Sequence, residues 1–146
     1  MTPRKLDVAV VRARLSALDE LVDALRVIGE VDGARLRADV IVRLAVERAL
    51  TAAVDLVVSV CSHVVASGPT PVPDTYREVI RLAGRNAVID PALASSLASA
   101  VGLRNVLVHE YVRADLDLVA AAVPRASRDL NAFVSQVSAW LVRQSA

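Results

Sequence analysis

The stretch RLRADVIVRLAVERALTAAVDLVVSVCSHVVAS, Arg35 to Ser67, decides the fold class. Val is a weak helix former, so a run this rich in Val first suggests strands. The stretch is far longer than an ordinary strand, however, and Ala, Leu, Arg and Glu are interspersed throughout it. It therefore reads as one long helix, with Val40, Leu44, Leu50, Val54, Val57 and Val64 among its apolar positions. Gly68-Pro69-Thr70-Pro71-Val72-Pro73 ends it.

Working outward, Gly29 and Asp32-Gly33 separate this helix from an earlier one. That first helix is expected from about Pro3 to Ile28, with Leu6, Val10, Ala13, Ala17, Leu21, Ala24 and Ile28 at helical spacing. Downstream, Asp74 or Thr75 caps a short helix, because Glu78 stands at capping-box distance from Thr75; Val79, Ile80 and Leu82 form its inner face and Gly84 closes it. Pro91 opens a fourth helix through Leu93, Leu97, Ala100, Leu103 and Leu107. Asp115 or Asp117 begins a fifth that extends towards Val142, with Pro124 expected to kink or divide it. Short connections between amphipathic helices favour antiparallel neighbours. The predicted architecture is an all-α, up-and-down bundle of four main helices plus a short one, as a single domain over residues 1–146.

Composition narrows the function. Hydrophobic residues make up 55% and aromatics only 3%, so the interior must be built from Val, Ala and Leu. With 17 basic and 16 acidic residues the net charge is +1, which excludes binding of nucleic acid by bulk attraction; any RNA contact must be local. Cys61 is the one cysteine, and it has no metal-ligand spacing with the two histidines. No P-loop, Rossmann fingerprint or paired-aspartate site is present, so no metal or cofactor is expected. The N-terminus lacks a signal core, and Arg, Asp or Glu interrupt the apolar runs, so a cytoplasmic protein with no membrane association is expected.

Packing accounts for Leu103, Val106 and Leu107 but not for Arg104, Asn105, His109 and Tyr111 in one short cluster. At about 100° per residue, Asn105 and His109 share one helix face, while Arg104 and Tyr111 share an adjoining one. Val108 inside this polar arc suits an edge packed on another helix or subunit. Metal-free RNA cleavage needs a base for the 2′-OH, an acid for the leaving 5′-oxygen and cationic donors for the developing phosphorane charge. His109 and Arg104 supply these types. One histidine performs one proton transfer at a time, so a two-fold homodimer bringing together two copies of each residue would complete the set. Asn105 could orient His109 or a phosphate, or equally cap a neighbouring helix or bridge backbone groups.

Gly102-Leu103-Arg104-Asn105-Val106-Leu107-Val108-His109-Glu110-Tyr111 resembles the Arg-x4-His-x-Tyr signature of the HepT-like branch of the HEPN superfamily. Glu47-Arg48-Ala49-Leu50 leading to Asp55, and Pro73 to Glu78, are similar to that family's second helix and third-helix start. The resemblance implies a dimeric helical toxin with metal-independent endoribonuclease activity at paired Arg104 and His109. It also implies an MntA-like nucleotidyltransferase antitoxin that transfers AMP from ATP to Tyr111, placing charge and bulk where an RNA phosphate must approach. Asp55 and Glu47 are salt-bridging or partner-binding residues, Asp55 with a possible part in positioning Arg104. His63 and Cys61 read as structural, and the arginines Arg12, Arg14, Arg26, Arg35, Arg37, Arg43 and Arg48 as a solvated surface. The competing function is a non-catalytic helical partner, or a substrate and antidote, of a nucleotidyltransferase.

Overall fold

The computed structural model describes residues 2–110 and 114–146; the predicted modification site Tyr111 lies outside them. Among the described residues every regular element is a helix: α1 (Val8–Ile28), α2 (Gly33–Ala38), α3 (Val40–Ala66), α4 (Tyr76–Arg85), α5 (Pro91–His109) and α6 (Leu116–Gln144). The all-α bundle is as expected, with one more helix.

The extra helix comes from Asp39. The stretch read as a single helix is broken there, because Asp39 adopts an extended backbone (φ −120°, ψ 98°) that ends α2, and its carboxylate caps α3 by accepting from the Ile41 and Val42 amides. The first helix also starts later than expected. Pro3 lies in a segment without regular structure whose Arg4 amide donates to Ala66 O, and Asp7 caps α1 by accepting from Val10 N. The buried stripe of α1 is Val11, Leu15, Leu18 and Leu25; Ala13 and Ala24, placed inside by the sequence reading, face solvent. The larger side chains bury more apolar area, and they set the phase.

Elsewhere the boundaries fall as the residues dictate. Thr75 caps α4 through the Glu78 amide, Asp90 caps α5 with Pro91 at the first helical position, and Asp115 caps α6. Pro124 leaves α6 a single helix. Gly84 lies within α4 rather than closing it, and the left-handed turn falls at Ala87 (φ 57°).

α3 touches each of the other five helices, whereas α1 meets only α3 and α6. Two clusters form the core. One, around Phe133, joins Leu15 and Leu18 of α1 to Val57 and Cys61 of α3, Ile80 of α4 and Leu97 of α5. The other joins Leu25 of α1 to Leu36, Val46, Leu50, Leu107 and Val119 at the opposite end. α1 and α5 therefore run one way, and α3 and α6 the other. By length and composition Val40–Ala66 and Pro91–His109 are apolar enough to cross a membrane, against the expectation that charges interrupt every such run. Arg43, Glu47 and Arg48 lie in the first turns of α3 and Asp55 at its middle, on the side that meets Arg104, while the apolar remainder packs in the middle of the bundle.

α4 and α5 approach closely at Gly84, where an added Cβ would stand 2.7 Å from the Ala94 Cβ on α5. Ala94 cannot retreat without moving its helix. Gly84→Ala is expected to destabilise the protein by about 1–3 kcal/mol, read as a lower denaturation midpoint in urea with an unchanged slope.

Candidate active site on helices α3, α4 and α5

Arg104 sits on the last third of α5, where that helix passes α3 and the first turn of α4. Its Nε donates to Asp55 Oδ1 at 2.9 Å, its Nη1 donates to Asn105 Oδ1 at 3.3 Å, and its guanidinium lies over the Tyr76 ring, 5.2 Å from the centroid. The side chain is 17% exposed and that of Asp55 42%. This is a fixed cation at the edge of solvent. Asp55 takes Nε and Asn105 one hydrogen of Nη1, so Nη2 and the second Nη1 hydrogen are the donors left for a phosphate oxygen, on a residue that lines the cleft between α4 and α5.

His109 is exposed in the final turn of α5, and among the described residues its ring makes no hydrogen bond or ion pair. Asn105 is exposed one turn earlier, and Val108, 44% exposed, interrupts the polar arc as expected. Five residues along a helix turn the direction by about 140° and advance it by about 7.5 Å. Arg104 and His109 of one chain thus leave α5 in directions about 140° apart.

The two supporting carboxylates part company. Asp55 holds Arg104, whereas Glu47 lies two turns away towards the start of α3, nearly buried, with Oε1 4.0 Å from Arg43 Nε. Burial raises its pKa above the usual glutamate value, and Arg43 only partly offsets this. Nothing in the structure brings Glu47 to Arg104. His63 and Cys61 lie apart from the site: His63 Nε2 accepts from the Asp7 amide at 3.0 Å, and burial pushes the Cys61 thiol up to about 12. Both are structural.

Sequence reading missed Tyr76 and Arg77. An open cleft of about 540 Å³ lies between the first turn of α4 and α5, lined by Tyr76, Arg77, Arg81, Arg104 and Asn105 among others. A tyrosine at a helix start, in a chain with two of them, was the available signal. Only packing shows that it meets Arg104.

Residues 16–137, from the third turn of α1 well into α6, match the family described as Ribonuclease HepT-like. The chain belongs to that family. This HepT-like chain is similar to the mRNA nuclease HepT of Shewanella oneidensis, 26% identical over 108 residues that span 74% of it and 81% of the relative. It is also similar to the tRNA nuclease HepT of Aphanizomenon flos-aquae, 28% identical over 100 residues covering 68% of each. Its fold matches that of a tri-AMPylated Shewanella oneidensis HEPN toxin solved in complex with MNT antitoxin, with a TM-score of 0.80 over 89% of this chain and 97% of that one, at 22% identity.

Because the folded protein retains the Glu47 proton to higher pH than the unfolded chain does, ionising this carboxyl removes stability as pH rises through the raised value. Glu47→Gln is therefore expected to melt at or above the wild-type temperature near neutral pH. The difference should shrink as pH falls towards about 4.3. Thermal melts across that range check the sign.

Proposed function

We propose that this HepT-like chain is a metal-independent endoribonuclease, the toxin of a toxin–antitoxin pair, acting as a cytoplasmic homodimer. The observation that carries the reading is Arg104, locked by Asp55 and Asn105 in the lining of an open cleft, with an exposed His109 further along the same helix. His109 takes the 2′-OH proton or protonates the leaving 5′-oxygen, Arg104 stabilises the phosphorane, and Asn105 assists, leaving a 2′,3′-cyclic phosphate and a 5′-hydroxyl. The one carboxylate at Arg104 is committed to it. Among the described residues no three His, Cys, Asp or Glu side chains gather as a metal-ligand set.

Two features favour a dimer. Arg104 and His109 diverge on α5, so the groups of one chain are completed by those of a second. α3 also exposes Ile41 (80%) and Leu44 (52%) on the stripe that continues through Arg48 to Asp55, and Val108 adds to the apolar surface at the same end of the bundle. Pairing through this row about a two-fold axis would bury it and bring both copies of α5 together.

Regulation follows the relatives. The structural neighbour is tri-AMPylated and bound to an MNT antitoxin. Here an MntA-like nucleotidyltransferase would transfer AMP from ATP to the Tyr111 hydroxyl, releasing pyrophosphate. The added phosphate and nucleoside, two residues beyond His109, oppose an incoming RNA phosphate.

Unmodified wild-type dimer is expected to cut total RNA in excess EDTA, with Arg104→Ala and His109→Ala reduced by at least about a hundredfold. Ile41→Glu and Leu44→Glu should give folded monomers that lose cleavage, seen by sedimentation and gel assay. Absence of cutting by unmodified, dimeric wild type across broad RNA pools would favour a non-catalytic partner or substrate of the nucleotidyltransferase.

A further inference from the structure

With a net charge of +1, this protein cannot hold RNA by its overall field, so a nuclease of this kind needs a local grip beside the scissile phosphate. The cleft between α4 and α5 has the chemistry for one. Tyr76 is 37% exposed, and its ring presses on the Arg104 guanidinium, so it is stacked from one side and positioned against the catalytic cation. The next residue, Arg77, is exposed and reaches across to α5: its Nη2 lies 3.1 Å from the place a Cβ of Gly102 would occupy. The missing side chain at Gly102 lets a guanidinium lie close against the α5 backbone, two residues before Arg104.

The cations of the cleft differ in their commitments. Arg81 Nη1 is held by Glu78 Oε1 at 2.9 Å, and Arg85 stands 3.9 Å from the other Glu78 oxygen, so that carboxylate is neutralised from two sides. Arg104 is paired with Asp55. Among the described residues Arg77 makes no ion pair, and its guanidinium donors are left for a ligand. An unpaired arginine and a partly exposed aromatic ring, side by side on a fixed catalytic arginine, form a nucleotide platform: phosphate to the guanidinium, base to the ring.

We infer that the Tyr76–Arg77 cleft is the subsite for the nucleotide adjoining the cleaved phosphodiester in single-stranded RNA. Arg77 donates to the neighbouring phosphate and Tyr76 stacks the base. The inference rests on the nuclease reading for its place beside the scissile bond. It explains binding without base-specific hydrogen bonds, since a ring face accepts any base.

The test is a binding measurement that does not depend on cleavage. A labelled, short single-stranded RNA of random sequence carrying 2′-O-methyl groups, which cannot be cut through the 2′-oxygen, is titrated by anisotropy over a salt series. Arg77→Ala is expected to weaken binding by about tenfold and to flatten the slope of log affinity against log salt by about 0.7. Tyr76→Ala should weaken binding by about tenfold with the slope unchanged, and Tyr76→Phe should recover most of that loss. Arg12→Ala, on a helix that touches neither α4 nor α5, controls for lost charge. Equal weakening by Arg12→Ala and Arg77→Ala would reduce the effect to general charge and overturn the subsite. So would wild-type affinity in both Tyr76→Ala and Arg77→Ala, including the case in which those variants lose only antitoxin binding. The two readings fail separately. RNA cut normally but bound as well without Tyr76 and Arg77 sinks the subsite alone, whereas RNA held through them but never cut leaves the cleft an RNA site and sinks the nuclease.

Discussion

α3 is apolar around most of its circumference, and a helix of that kind is stable in water only when other helices surround it. Val46, Val57, Val60, Cys61 and Val65 are each almost wholly buried, and they point in different directions around the helix. That constraint explains why all five other helices touch α3 while α1 never meets α4 or α5. It also confines the polar chemistry. The strip of α3 left uncovered runs through Ile41, Leu44 and Arg48 to Asp55, and where α5 crosses beside this strip Arg104 finds its carboxylate.

The Arg104–Asp55 pair contributes little to stability by itself, because partly exposed ion pairs are worth about 0–1 kcal/mol. Its effect is geometric. A free arginine side chain samples many rotamers, and fixing it before substrate arrives lowers the ordering cost of the bound state. Asp55 from α3, Asn105 from α5 and the ring of Tyr76 from α4 restrict the guanidinium from three directions. The close α4–α5 contact at Gly84 and Ala94 keeps Tyr76 in reach of Arg104. A packing detail of the core thus becomes a condition on the site.

Local signals were legible where one residue decides one boundary. Asp90-Pro91, Thr75 and Asp115 each start a helix as their chemistry requires, and Gly29 ends one with φ 79°. Asp39 was not legible, because a carboxylate inside an apolar periodic run also fits a solvated helix face; only its extended backbone distinguishes a cap. Nor did Pro3 start a helix, since its segment gains a hydrogen bond from Arg4 to Ala66 that no local rule anticipates. For the site, the cluster from Arg104 to His109 is contiguous in sequence, and so it was readable. Asp55 is 49 residues from Arg104 and was at most a possible positioning group, and Tyr76 was unread, because such contacts are made by tertiary packing rather than by spacing.

The two residues proposed for the chemistry, Arg104 and His109, stand on one helix, which has a consequence for assembly. Residues five apart leave a helix in directions about 140° apart, which works against aiming both at one point. A single bundle would need another element to supply the missing partner, and among the described residues none brings a second histidine to Arg104: His63 is engaged with Asp7 at the start of α1. On the nuclease reading, the missing groups come from a second copy, and the apolar residues Ile41, Leu44 and Val108 lie at the end of the bundle where that copy would sit. On that proposal activity is tied to dimer geometry, and the modification proposed next to His109 would act on a site that both chains build.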